Sequence, residues 1–147
     1  MALIKEVFPN ALFWSPATEE QIGAVESALN VKFPEQLRAL YRECDGFRED
    51  KGNAKYLLSL TDDDSIGSLK SMTEFCWNEF RGTWPALDLS PFIFFGSSSG
   101  DEMWGIRWRG WDEIIAFHHN MEGSYETAGP DILSVYKADY ARYPDIA

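Results

Sequence analysis

Cysteine, histidine, basic charge and long apolar runs are all scarce in this chain. Two cysteines, Cys44 and Cys76, and two histidines, His118 and His119, occur in 147 residues. Two thiols make no disulfide framework, so two structural thiols in a reduced, cytoplasmic setting are expected. Neither residue type stands at zinc-site spacing. Neighbours in a strand point to opposite faces, so His118 and His119 are poorly placed to share one metal. No cofactor is expected. No apolar run approaches the roughly 18 residues of a membrane span, and no membrane association is expected. Glu6 and Pro9 interrupt the N-terminal apolar stretch, which therefore reads as no leader peptide. Lys plus Arg is 13 and Asp plus Glu is 24, a formal charge of −11. A general nucleic-acid binder needs a basic surface to displace counterions from phosphate, so that class is set aside. The acidic balance suits a basic partner.

Aromatic residues are plentiful, with 6 Trp, 6 Tyr and 10 Phe, and 45% of the chain is apolar. That composition excludes disorder. The length suits one domain, able to bury roughly 70% of its unfolded surface without a metal or disulfide.

Residues 18–29 read as a helix. Thr18 and Gln21 have capping-box spacing, and Ile22, Val25 and Leu29 recur on one face. Pro34 opens a second helix with a Leu37, Leu40, Tyr41 and Cys44 stripe, and Gly46 closes it as a left-handed residue. Residues 45–55 read as a surface loop or hairpin between elements, and Tyr56–Leu60 as a strand. Asp62, Asp63 and Asp64 precede a helix over about 65–80, with Leu69, Met72, Phe75, Cys76 and Phe80 inward. These aspartates fit a helix start better than a calcium loop. Phe92–Phe95, Met103–Arg109 and Glu113–His118 predict three strands. Their short connections demand an antiparallel meander. Pro130 opens a last helix over about 130–142. Helices, a mainly antiparallel sheet and a closing helix make an α+β fold of one domain, residues 1–147.

Gly96-Ser97-Ser98-Ser99-Gly100 matches the G-x-S-x-G nucleophile elbow, with Ser98 as nucleophile. An elbow must run from strand into helix. The segment after Gly100 alternates like a strand, and His118 and His119 follow too closely for the usual nucleophile, acid, base order. A Ser/Gly-rich hairpin turn is the better reading. A phosphate cradle wants a helix start and usually a lysine, and Asp101 and Glu102 stand there instead. The same two carboxylates diverge along a strand and make a poor acid–base pair. Trp77, Trp84, Trp104, Trp108 and Trp111 belong mostly to the core, with one or two left as interface anchors.

The order and spacing of several short pieces resemble the Smi1/Knr4 family of the SUKH superfamily. They are Trp14, Ala17–Ile22, Glu26, Leu29, Phe33-Pro34, Leu37, Leu40, Asp45-Gly46, Pro91-Phe92, Phe95-Gly96 and Gly100-Asp101. Phe33-Pro34 replaces the usual Leu-Pro, and Asp45-Gly46 the usual Asn-Gly. The resemblance covers about residues 14–119. Residues 1–13 lie outside it as an N-terminal extension, and Ala128–Asp131 replaces the family's usual acidic, Ser, Phe lead into the last helix. It implies an α+β fold with helices packed around a bent, mostly antiparallel sheet. It also implies a binding protein: many bacterial members neutralise a cognate toxin, and fungal members are regulatory interaction proteins. It carries over no catalytic residue. Gly96, Gly100 and Asp101 match the family's most recognisable turn, which turn geometry alone would explain.

The expectation is therefore a non-enzymatic immunity protein for a basic toxin domain, a nuclease among the options. Asp101, Glu102 and the tips near Trp104 and Arg107 are the candidate contacts. Two alternatives stay open: a small serine hydrolase using Ser98, and a regulatory adaptor for a protein that is not a toxin. The sequence leaves the oligomeric state open.

Overall fold

The computed structural model describes residues 4–48, 56–61, 68–84, 87–97, 102–117 and 124–142. In chain order the elements are α1 (Ile4–Val7), β1 (Leu12–Phe13), α2 (Glu19–Leu29), α3 (Glu35–Glu43) and β2 (Phe47–Arg48), followed by α4 (Leu69–Thr83), β3 (Phe92–Ser97), β4 (Met103–Arg107), β5 (Ile114–Phe117), β6 (Glu126–Gly129) and α5 (Ile132–Arg142). β1 and β2 form an antiparallel pair, and β3-β4-β5-β6 a four-stranded antiparallel meander. The expected α+β architecture is present. β6 is an addition: Glu126-Thr-Ala-Gly129 has one β-branched residue and no aromatic, too weak a strand signal by itself, and is placed by pairing with β5.

The capping box of α2 forms as spaced. Gln21 N donates to Thr18 Oγ1 at 3.1 Å, and Thr18 N donates to Gln21 Oε1 at 2.9 Å. The helix ends at Asn30, in the left-handed conformation with φ 56°. Glu26 then joins α2 to α3: its carboxylate accepts from Phe33 N at 2.7 Å and from Arg38 Nη2 at 2.6 Å. Arg38 and Arg42 also reach Glu19, at 2.9 and 2.6 Å. The Arg42 hydrogen bond is the main reason the Glu19 carboxyl is held below its ordinary range.

Pro34 sits at the cap of α3 rather than inside its first turn, and the helix leaves through an extended Cys44. Gly46 is thus not the helix stop expected from its position. Its φ of 112° lets the chain pass so close to residues 57–59 that a Cβ would meet Leu57 O at 3.0 Å and Ser59 N at 3.2 Å.

Residues 56–61 join the two sheets. Phe47 and Leu57 exchange backbone bonds of 3.1 Å, and Leu58 N donates to Phe95 O at 2.7 Å. The expected strand at 56–60 is therefore a pair of isolated bridges, Phe47↔Leu57 and Ser59↔Ser68. Asp45, 7% exposed, holds the end of the segment. Its carboxylate accepts from Leu60 N at 2.7 Å, Thr61 Oγ1 at 2.7 Å and Ser59 Oγ at 2.9 Å. Buried Tyr41 and Tyr136 donate their hydroxyls to Leu58 O and Tyr56 O. Desolvation raises both phenols well above their usual range.

Most of β3, the middle of β4 and all of β5 are buried on both faces, so these segments are apolar rather than alternating, while β6 is exposed to half-buried. Ile93, Phe95, Trp104, Ile106, Ile114 and Ala116 face the main core with α2, α3 and α5. Phe92, Phe94, Ile115 and Phe117 face Cys76 of α4 and Leu87 and Leu89. Gly105 lies opposite Phe94, where a Cβ would sit 3.0 Å from the ring. α4 covers the outer edge of β3. Thr73 bonds both Phe94 N and Phe94 O, at 3.0 and 3.3 Å, and Trp77 Nε1 donates to Phe92 O at 2.9 Å. An open sheet edge is thereby closed by side chains one helical turn apart. Placing Thr73 and Cys76 inward turns Phe75, expected inside, to the surface at 39% exposure. The described helix begins at Leu69, with Ser68 Oγ accepting from Ser71 N at 3.0 Å. Asp62, Asp63, Asp64 and the side chain of Phe80 lie outside the described residues.

Two residues ahead of Trp14 belong to the core. Ile4 and Phe8 are fully buried, and Phe8 stacks on Tyr56 with centroids 4.9 Å apart. Glu43 Oε2 accepts from Ile4 N at 2.9 Å and anchors α1. Asp45→Ala should destabilise the protein by about 2–4 kcal/mol in urea unfolding, because three donors lose a charged acceptor. Asp45→Asn should cost about half as much, since its carbonyl can still accept from Leu60 N. Equal losses for the two variants would contradict this account of Asp45.

Candidate functional site

The candidate contacts fall at opposite ends of β4. Glu102 precedes Met103, and Arg107 is the last residue of the strand. Five residues of extended chain separate them by roughly 17 Å, so the structure does not gather them into one site.

At the first end lies an acidic groove between the sheet and α5. Glu102, Glu126, Thr127, Val135 and Asp139 line it. Asp139 is buried and accepts from Tyr56 Oη at 3.0 Å. Trp104 forms the floor and is only 3% exposed, with its ring 5.4 Å from Tyr136 and 6.0 Å from Tyr56. The expectation that Trp104 offers a surface contact is therefore corrected: its alternation aims it into the main core. Gly96 is paired with Trp104 inside β3, just after a bulge at Phe95, rather than in the turn. Gly100, Asp101, Ser98, His118 and His119 lie outside the described residues.

At the other end Arg107 is 14% exposed in its side chain. Its Nε donates to Glu113 Oε1 at 3.1 Å, and Glu113 also accepts from Thr127 Oγ1 at 3.0 Å. The guanidinium lies 4.8 Å from the Phe92 ring centroid and 4.1 Å from that of Trp111. Trp111 is 66% exposed, the largest exposure among the described large apolar side chains. A second groove opens here, between the loop before α3 and the β4–β5 turn. Composition alone could not single out Trp111 from five clustered tryptophans. The local signal was the Arg107-Trp-Arg-Gly-Trp111 turn, where Gly110 takes φ 98° and places Trp111 past the end of the strand.

Among the described residues no group of three His, Cys, Asp or Glu could hold a metal ion, and no helix is long and apolar enough to cross a membrane. Cys44 and Cys76 are free and buried. Burial pushes both thiols up to about 12.

A model of the SMI1 / KNR4 family (SUKH-1) matches residues 16–131. No curated protein matches the chain. The match runs past His119 through β6 to Asp131, so the departure at Ala128–Asp131 lies within it. It begins after α1 and β1, although Ile4 and Phe8 belong to the same core as the matched residues.

Native protein should leave both thiols unmodified by a thiol reagent at pH 8, and urea should expose two per chain. Raised thiol pKa values also set a pH dependence. Below about pH 7.5 both states keep their thiols protonated. Above it the unfolded chain releases protons that the folded chain keeps, so stability should fall from there towards pH 12. Rapid native labelling, or alkaline stability unchanged by Cys44→Ala and Cys76→Ala together, would contradict the burial account.

Proposed function

The chain belongs to the SMI1/KNR4 family (SUKH-1), and from that premise we propose that it is a non-enzymatic protein-binding domain that neutralises a cognate bacterial toxin by occupying its surface. Family membership carries the reading. The formal charge of −11 supports it, because a nuclease toxin presents basic surface to its substrate and an acidic inhibitor matches that surface. Glu102, at the acidic groove with Glu126, and its neighbour Asp101 are the proposed charge contacts at the first end of β4. Trp104 serves them as buried support.

The tagged chain, used as bait in lysate of its source at low salt, should retain a stoichiometric basic protein that rising salt releases. Mass spectrometry identifies it. With that partner in hand, Asp101→Lys and Glu102→Lys together should slow association roughly tenfold at low salt, with the difference shrinking as salt rises. A partner held equally at all salt concentrations, or one indifferent to the double reversal, would remove the acidic surface from the proposal.

A further inference from the structure

The groove at the Arg107 end has a composition opposite to the rest of the molecule. In a chain of charge −11, three of its 13 basic residues, Lys32, Arg107 and Arg109, line this one depression. Two carboxylates line it as well. Glu35 is engaged by Arg42 at 3.1 Å, and Asp112 sits on the exposed rim. Aromatic and proline surface fills the remainder, from Trp111, Trp108, Phe33 and Pro34.

Arg107 is the built element. Glu113 holds its Nε, while Phe92 and Trp111 hold the plane of the guanidinium. Among the described residues its two terminal nitrogens carry no hydrogen bond to protein. A planar fork with one edge fixed and the other open suits a carboxylate, and little side-chain entropy is left to lose on binding. Arg109, stacked on Trp108 at 5.3 Å, adds a second cation on the same wall. Trp and Arg are also among the residue types enriched at the hot spots of protein interfaces.

We propose that this groove binds an acidic segment of a protein partner, with an Asp or Glu carboxylate on the open edge of Arg107 and an adjacent apolar or proline residue against Trp111. The inference rests on the protein-binding reading and assigns it a second contact, at the far end of β4 from Glu102. The acidic surface speeds encounter with a basic protein. The Arg107 groove selects among such proteins, because a partner lacking a carboxylate at that position covers the terminal nitrogens of Arg107 without giving them an acceptor.

The test is selection of a random displayed peptide library on the whole folded chain, followed by synthesis of the enriched peptides. Enriched sequences should carry Asp or Glu beside an aromatic, aliphatic or proline residue. Binding should shift the Trp111 indole N–H resonance. Trp111→Ala, an exposed position that leaves the fold intact by circular dichroism, should weaken binding at least about tenfold. Arg107→Lys should weaken it about tenfold by losing the fork, and Arg109→Glu should do so while leaving Glu113 paired. Enrichment of neutral or basic peptides, enrichment of none, or acidic peptides that bind the Trp111→Ala and Arg109→Glu variants as well as the parent would overturn the groove assignment. A salt-released basic partner in the lysate experiment would survive any of those outcomes, so the two proposals fail separately.

Discussion

The backbone of residues 56–61 is the constraint on which the rest of the structure depends. Residues 56–58 are buried between the two sheets and 59–61 lead out to the surface, and in the buried part an unpaired N–H or C=O costs as much as a lost hydrogen bond. The segment has too little strand neighbourhood to satisfy itself by a ladder. Its groups go instead to specific residues from distant parts of the chain: Phe47 of β2, Phe95 at the bulge of β3, the hydroxyls of Tyr41 and Tyr136, and the carboxylate of Asp45. The bulge at Phe95 and the positive φ of Gly46 follow from the same demand. One frees a strand carbonyl to face the segment, and the other lets the chain approach it.

That interior frame explains what the surface can do. Among the described residues β3, β4 and β5 are covered on both faces over most of their length, and the β3 edge is closed by Thr73 and Trp77. Distinctive surface remains at the ends of β4, where side chains emerge from a rigid strand. One end is acidic and the other is basic and aromatic. On the proposed binding reading, the two ends of β4 would offer chemically unlike contacts at a fixed separation, an arrangement that favours specificity over affinity for any one charged surface.

Local signals in the sequence were readable where a local force decides the structure. Thr18 and Gln21 gave α2 its start, and the Ile22, Val25, Leu29 periodicity gave its buried face. The apolar run Phe92–Phe95 and the alternation of Trp104 and Ile106 placed two neighbouring strands and their common inner face, although Phe92–Phe95, read as a central strand, lies at the sheet edge under α4. The resemblance carried by Asp45-Gly46 and Phe95-Gly96 identified the family, yet not why those residues stand there. Their roles come from contacts with residues 57–61, far away in sequence. Long-range partners also hid β6, in whose Glu-Thr-Ala-Gly sequence only Thr127 favours a strand, and α1, whose Ile4 and Phe8 reach into the aromatic core. The site was legible in part. Glu102 and Arg107 do occupy the edges of grooves, but alternation already aimed Trp104 inward, and Trp111 became distinct only once the turn at Gly110 was placed.

The central claim is that residues 56–61 are as deeply built into the fold as the middle of the sheet, despite belonging to no regular strand. Native-state hydrogen exchange measures this directly. The amides of Leu57, Leu58 and Leu60 should exchange only with global unfolding, with the same free energy and denaturant dependence as Ile93 and Ile115. Exchange of Leu58 and Leu60 through a small local opening, well below the global value, would contradict it.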